Sequence, residues 1–432
     1  MLASWLAPGV PARADATSIA QAVSAPAAAH ELTTGDVDTW LDGFVPTALA
    51  REGIAGGVVS VVHDGQVVTR RGFGLADTGV DEYDQDGPVG RATTPVDPDQ
   101  TLFRIGSISK LITATAVLQL VQDGVLDLDT PVQNYLDFTL PTRFAQPVTL
   151  RHLLSHTAGF EDQIAGVILA PQAVPPTLLS VVATDPPEQI FAPGTVPAYS
   201  NYSNALAAYV VQRVTGRDYV DWATEHVLVP AGMGTATFAQ PLPQDLADRM
   251  SHGYDSTTSP QVPFEIVGPA PADAISATAA DMSAFLLSQL GHDTSAEGSA
   301  VAGSSSDSGP GRVLPPAALE LMHRPALGFD QLGGLAAGPR MALGYFDQSR
   351  NGHTILGHAG DLTAFHAQLQ IYPDDDTGIF LALNSTGVRP DSSLAVREQL
   401  LTGFSDRYFP DQRPAPAPLP TSAQHSAQAE GS

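Results

Sequence analysis

At 432 residues and 43% hydrophobic content, the chain is long enough for one large or two ordinary domains around a sizeable core. Its 46 acidic against 20 basic residues give a net charge of -26, which argues against nucleic acid and anionic membrane surfaces as partners. The absence of cysteine excludes disulfides, thiol catalysis and cysteine-bound metal, and no run of 18 apolar residues offers a membrane span.

Residues 1–35 read as a leader or disordered segment. They are rich in alanine, and Leu2, Trp5, Leu6 and the run Ala12-Arg13-Ala14-Asp15-Ala16 resemble the end of a secretory signal, so a secreted or cell-envelope location outside the cytoplasm is expected. From Asp36, the apolar residues Val37, Trp40, Leu41, Phe44 and Val45 recur at helical spacing, with Thr33, Thr34 and Asp36 available to cap the start. Ile54 to His63 and Gln66 to Gly72 are rich in valine and flank Asp64-Gly65, the pattern of a hairpin. The stretch from Asp77 to Gln100 carries seven acidic residues and several Gly and Pro, and reads as a surface loop. A helix is expected to start at Ser107 and stop at Gly124. Its apolar residues Ile108, Leu111, Ile112, Val117, Leu118, Leu120 and Val121 occupy more than one face, as in a buried helix.

Arg151 to Gly159 reads as a short helix ending in a loop. His152 and His156 are spaced for zinc, but Leu153 stands where the zinc-protease pattern needs a glutamate, and no metal site is expected. After the proline-rich stretch from Pro171 to Pro197, Tyr199-Ser200-Asn201 precedes a helix from about Ser203 to Thr215, a place where polar groups face clefts. Ala277 to Leu290 reads as another helix and Gly291 to Arg312 as a mobile loop. Phe365 to Tyr372 and Gly378 to Asn384 read as strands joined by a turn at Asp374-Asp375-Asp376, a solvated tip and not a calcium site. Ser392 to Phe409 closes the domain as a helix, and residues 410–432 form a Pro/Ala/Ser-rich tail. Strands at both ends with helices between them imply an α+β domain over residues 36–409. Its antiparallel sheet is built from both termini and flanked by helices, a mostly helical subdomain is inserted at about 112–290, and the cleft lies between the halves.

The chemistry concentrates at Ser107 and Lys110. Lys110 is the sole lysine, every other basic residue being arginine. A guanidinium stays protonated at any working pH, whereas burial can tune an ammonium into a neutral amine. At i, i+3 the two side chains share one helix face, so the amine can accept the hydroxyl proton during attack on a carbonyl. Holding a lysine neutral at pH 7 requires a shift of about 3.4 units, or roughly 4.6 kcal/mol. Burial supplies part of it and a nearby phenol or amide can share the proton transfer, which draws attention to Tyr199 and Asn201. The G-x-S-x-G elbow of a Ser-His-Asp hydrolase is absent from the sequence.

Ser107-Ile108-Ser109-Lys110, Tyr199-Ser200-Asn201 and His358-Ala359-Gly360 stand in that order. They resemble the S-x-x-K, Y-x-N and H-x-G or K-x-G motifs of the serine β-lactamase and penicillin-binding-protein family, in its branch of class C β-lactamases, D-alanyl-D-alanine carboxypeptidases and esterases. The resemblance covers roughly residues 36–409 and implies a β-lactamase/transpeptidase-like fold. It implies a serine hydrolase that needs no cofactor or metal and acts on a small-molecule or peptide substrate through an acyl-serine. By position, Ser107 would be the nucleophile, Lys110 its general base and Tyr199 a partner in proton transfer to the leaving group. Asn201 would hold Lys110 and the substrate amide, and His358 and Gly360 would line the substrate cleft. His358 stands where the lactamases usually have lysine. The backbone N–H groups of Ser107 and Asp361 would form the oxyanion hole. Many relatives carry a small residue at the position of Asp361, and a carboxylate aimed into the cleft there would repel a substrate carboxylate. A D-amino-acid peptidase or carboxypeptidase, or an esterase, is the expected activity. The alternatives are a class C-like β-lactamase and a non-catalytic penicillin-binding module.

Overall fold

The computed structural model describes residues 28–84, 87–90, 92–163, 166–294, 312–326 and 340–411. Most of the expected leader, of the 291–312 loop and of the tail lies outside them.

The first helix, α1 (Thr34–Glu52), starts where the capping residues stand: the Thr33 side chain accepts from the Asp36 backbone N–H, and Gly53 ends the helix in the left-handed conformation. Strands β1 (Gly56–His63) and β2 (Gln66–Asp77) form the expected hairpin, with β2 longer than its valine run. The segment expected to be a plain loop differs. Val80–Asp84 and Gly87–Gly90 pair as a short antiparallel ribbon, and Thr94–Pro95, here β3, pairs with the end of β2. The helical middle includes α2 (Lys110–Gln122), α3 (Asn201–Thr215) and α4 (Ala279–Gln289). The chain then returns to the sheet with β4 (Phe346–Asp347), β5 (Leu356–Asp361), β6 (His366–Tyr372) and β7 (Thr377–Leu383), and ends on α5 (Ser392–Tyr408).

The sheet has seven strands in the order β4-β5-β6-β7-β1-β2-β3, each antiparallel to its neighbours. Strands from the two ends of the chain therefore meet at its centre, where β1 pairs with β7 from Gly57–Leu383 to His63–Thr377. Side chains alternate across a strand, and here both faces are apolar. Val58 and Val62 of β1 and Phe380 and Ala382 of β7 pack on the side of α2, α3 and α4. Val59, Val61, Ile379 and Leu381 pack on the side of α1 and α5. Lys110 through Leu118 of α2 are all buried. Each fully buried Leu, Ile or Val there stabilises the fold by about 1.5–3 kcal/mol, which makes α2 a rigid post for whatever its first turn carries.

Candidate active site

Ser107 does not sit in an α-helix proper. Gly106–Ser109 form a turn of 3-10 helix that runs into α2 at Lys110. This turn abuts β5, and two glycines permit the approach. Gly106 has φ +52°, and a Cβ on it would lie 2.8 Å from the Asp361 nitrogen. A Cβ on Gly360 would lie 1.9 Å from the Ile105 carbonyl oxygen and 2.9 Å from the Ser107 nitrogen. The Ser107 and Asp361 backbone nitrogens both lie at this contact between the turn and the strand.

On the side-chain level, Lys110 Nζ donates to Ser107 Oγ at 2.8 Å and to the Ala272 carbonyl at 3.1 Å. A third acceptor, Asp273 Oδ1, stands 3.5 Å away, and the Ser107 hydroxyl itself donates to that same oxygen. Lys110 and Asp273 are both buried, at 2% and 4% side-chain exposure. Asp273 was not among the residues singled out from the sequence. It comes from a four-residue helical turn, Ala270–Asp273, held to the serine turn by the Ile105 N–H on the Ile275 carbonyl and the Ile275 N–H on Ser109 Oγ. The available signal was an acidic residue just before a predicted helix, the same position that drew attention to Tyr199.

The electrostatics depart from the expected neutral amine. Burial alone would lower the pKa of Lys110, but the Asp273 carboxylate and the Tyr199 oxygen outweigh it and leave the pKa raised. Tyr199 packs beside the amine, its ring centroid 5.1 Å from Nζ, and its phenol interacts with Lys110 and Ser107; burial raises its pKa. His156 lies against Tyr199, the rings tilted with 4.4 Å between centroids, and is held neutral, first by burial and then by the Lys110 charge. His152 instead caps its own short helix through Thr149. Neither histidine faces a ligand set, and among the described residues no cluster of His, Asp and Glu has the arrangement of a metal site.

Asn201, at the first turn of α3, is held by Asp162, whose Oδ1 accepts from its backbone N–H at 3.0 Å and from Nδ2 at 3.2 Å. The expected hold on Lys110 is not made. Asn201 Oδ1 is buried without a partner among the described residues. The same holds for His358 Nε2, because His358 Nδ1 donates to the Ala359 carbonyl at 2.6 Å. Burial, and then the Lys110 charge, lower the pKa of His358 to about 3, so it is neutral at working pH. The Asp361 carboxylate is turned to Arg397 of α5 and His366 of β6, each at 2.7 Å, and these partners hold its pKa low against the effect of burial. A cleft of about 460 Å³ opens over Ser107, Tyr199, Asn201, Asp273 and His358, with Phe346 and Gln348 of the β4 edge as further walls.

A family model described as Beta-lactamase matches residues 41–403. An esterase of Burkholderia gladioli is 32% identical over 236 residues, 51% of this chain and 56% of that protein. A D-aminopeptidase of Brucella anthropi is 31% identical over 207 residues, 45% of this chain and 35% of that enzyme. The chain thus spans about half or less of the length of these two relatives. Among solved structures, a β-lactamase/D-alanine carboxypeptidase from Yersinia pestis superposes with a TM-score of 0.62 at 21% identity, over 84% of this chain and 97% of that one. That likeness extends the agreement to the whole fold.

Proposed function

As the chain belongs to the β-lactamase family, we propose that it is a serine hydrolase that cleaves an ester or amide through an acyl-enzyme on Ser107. The observation that carries this reading is the 2.8 Å hydrogen bond from Lys110 Nζ to Ser107 Oγ, made by two residues three apart at the floor of the cleft. In the proposed reaction Ser107 attacks the carbonyl, and the backbone N–H groups of Ser107 and Asp361 receive the oxyanion. Lys110 and Tyr199 lie on the proton's route to the leaving group, and Asn201 Oδ1 accepts from an N–H on the substrate.

Esters, and peptides of D-residues that present no free carboxylate beside His358, are the substrates this site favours. A neutral His358 supplies no cation at the position where a carboxylate would need one. The esterase and D-aminopeptidase among the relatives are consistent with that choice. We place the enzyme outside the cytoplasm, on the leader-like composition of its first residues.

The test is a panel of short-chain nitrophenyl esters, D-alanyl peptides with free and amidated ends, and a chromogenic cephalosporin, run with Ser107→Ala alongside. Ester turnover that falls by about 1,000-fold or more in Ser107→Ala is expected. Turnover unchanged by that substitution, together with no labelling of Ser107 by a fluorophosphonate, would remove the enzyme reading.

A further inference from the structure

The proton inventory around Ser107 carries a step beyond the motif roles. Lys110 Nζ has three oxygen acceptors within reach: Ser107 Oγ, the Ala272 carbonyl and Asp273 Oδ1. A carbonyl and a carboxylate can only accept, so these contacts, with the Tyr199 phenol also against the amine, suit an ammonium that donates. The one hydrogen of Ser107 is directed at Asp273 Oδ1. The serine therefore points its proton at a carboxylate and receives one from the lysine.

We propose that Asp273 is a fourth catalytic residue of this site, the group that takes the Ser107 proton while Lys110 is an ammonium. The proposal rests on the serine-hydrolase reading above. In acylation the bond from Ser107 Oγ to the carbonyl carbon forms, the hydroxyl proton passes to Asp273 Oδ1, and the carbonyl electron pair moves onto its oxygen. Collapse of the tetrahedral intermediate breaks the bond to the leaving group. The leaving group takes a proton from the Tyr199 phenol, which Lys110 refills, and Asp273 returns its own proton to Lys110. In deacylation a water oxygen attacks the acyl carbon, Asp273 takes the water proton, and Ser107 Oγ recovers it as the ester bond breaks. Lys110 begins and ends each half-reaction as an ammonium, the positive charge that keeps a buried carboxylate tolerable next to a nucleophile.

The rival assignment, a neutral lysine as base, makes the opposite forecast for one substitution. Removing the carboxylate charge would free Lys110 to lose its proton, so Asp273→Asn would acylate as fast as wild type or faster. With Asp273 as the acceptor, the same variant is expected to lose at least about 100-fold in the rate at which a fluorophosphonate phosphonylates Ser107 with release of fluoride, within the range of general-base removal. Its melting temperature is recorded alongside.

A second readout on the unaltered full chain needs no variant: the pH dependence of acylation. The titratable and charged groups facing Asp273 are Lys110, Tyr199 and Arg104, with His156 and His358 beyond Lys110. Acylation that has reached its plateau at neutral pH supports the carboxylate. A rate still climbing through the alkaline range, as a lysine with a raised pKa requires of itself, overturns it. Labelling of Ser107 in wild type with an undiminished rate in Asp273→Asn would sink this proposal and leave the hydrolase reading standing. Labelling equally strong in Ser107→Ala would sink both.

Discussion

His358 illustrates how much of a residue's role is set by its surroundings. The position suggests a weaker stand-in for a cation, yet burial and the neighbouring ammonium bring its pKa to about 3, so it is an acceptor and not a charge. That has a consequence for stability whose sign is fixed. The native site refuses a proton that the unfolded chain takes up near pH 6.5, so between those values the unfolded state binds more protons and stability rises with pH. The contribution is complete above about pH 6.5 and is lost as pH falls toward the native value. Going from pH 8 to pH 5, wild type is expected to lose about 2 kcal/mol more unfolding free energy in urea than His358→Gln. His156 acts in the same direction but is common to both proteins. Equal pH slopes for the two would show that His358 is not held neutral. Ser107, Lys110, Tyr199, Asn201 and His358 could all be found in the sequence because each lies in a short motif with fixed spacing. Asp273 left only the weaker trace of an acidic residue before a predicted helix, since it meets Lys110 across 163 positions and no spacing rule ties a four-residue turn to a distant serine.

The elements matter here chiefly for how closely two of them approach. The serine turn and β5 touch backbone to backbone, with Gly360 facing Ile105 and Ser107. A methyl group at Gly360 meets main chain, which cannot swing aside as a flexible side chain would, so the turn and the strand must separate. Gly360→Ala is therefore expected to cost about 100-fold in kcat, the scale of a misplacement near 1 Å, while the sheet remains folded. Steady-state kinetics with circular dichroism checks this, and a kcat within about threefold of wild type would mean that the contact does not position the oxyanion groups. Asp361 is anchored from the other side by buried Arg397 of α5, which draws its carboxylate away from substrate and answers the repulsion feared from sequence. Helix and strand identities followed from periodicity and caps, as at α1 and the β1–β2 hairpin. The ribbon at Val80–Asp84 and Gly87–Gly90 is not legible in the sequence because its residues are acidic and glycine-rich, with no apolar alternation to mark a strand.

At the scale of the whole molecule, the chain wraps its sheet from both ends and sets the cleft where the helical middle meets that sheet. The termini-built sheet was readable in advance because valine-rich segments stand at both ends of the domain with helical periodicity between. The sign of the field over the cleft follows from composition together with placement. A net charge of -26 surrounds the cleft, with Asp162 behind Asn201, while the cations Lys110 and Arg397 are committed to Asp273 and Asp361. Such a field raises the local concentration of cations and repels anions, and its reach shrinks from about 30 Å at 0.01 M salt to about 8 Å at physiological ionic strength. Two nitrophenyl esters matched in acyl length, one ending in a quaternary ammonium and the other in a carboxylate, separate this effect from pocket fit. The cationic ester is expected to have the higher kcat/KM at low salt, and its advantage is expected to shrink steadily as ionic strength rises to about 0.5 M. A neutral ester of the same length serves as reference and should stay nearly constant. A preference independent of salt would assign the discrimination to contacts inside the cleft, and a preference for the carboxylate ester would contradict both the field and the neutral state of His358.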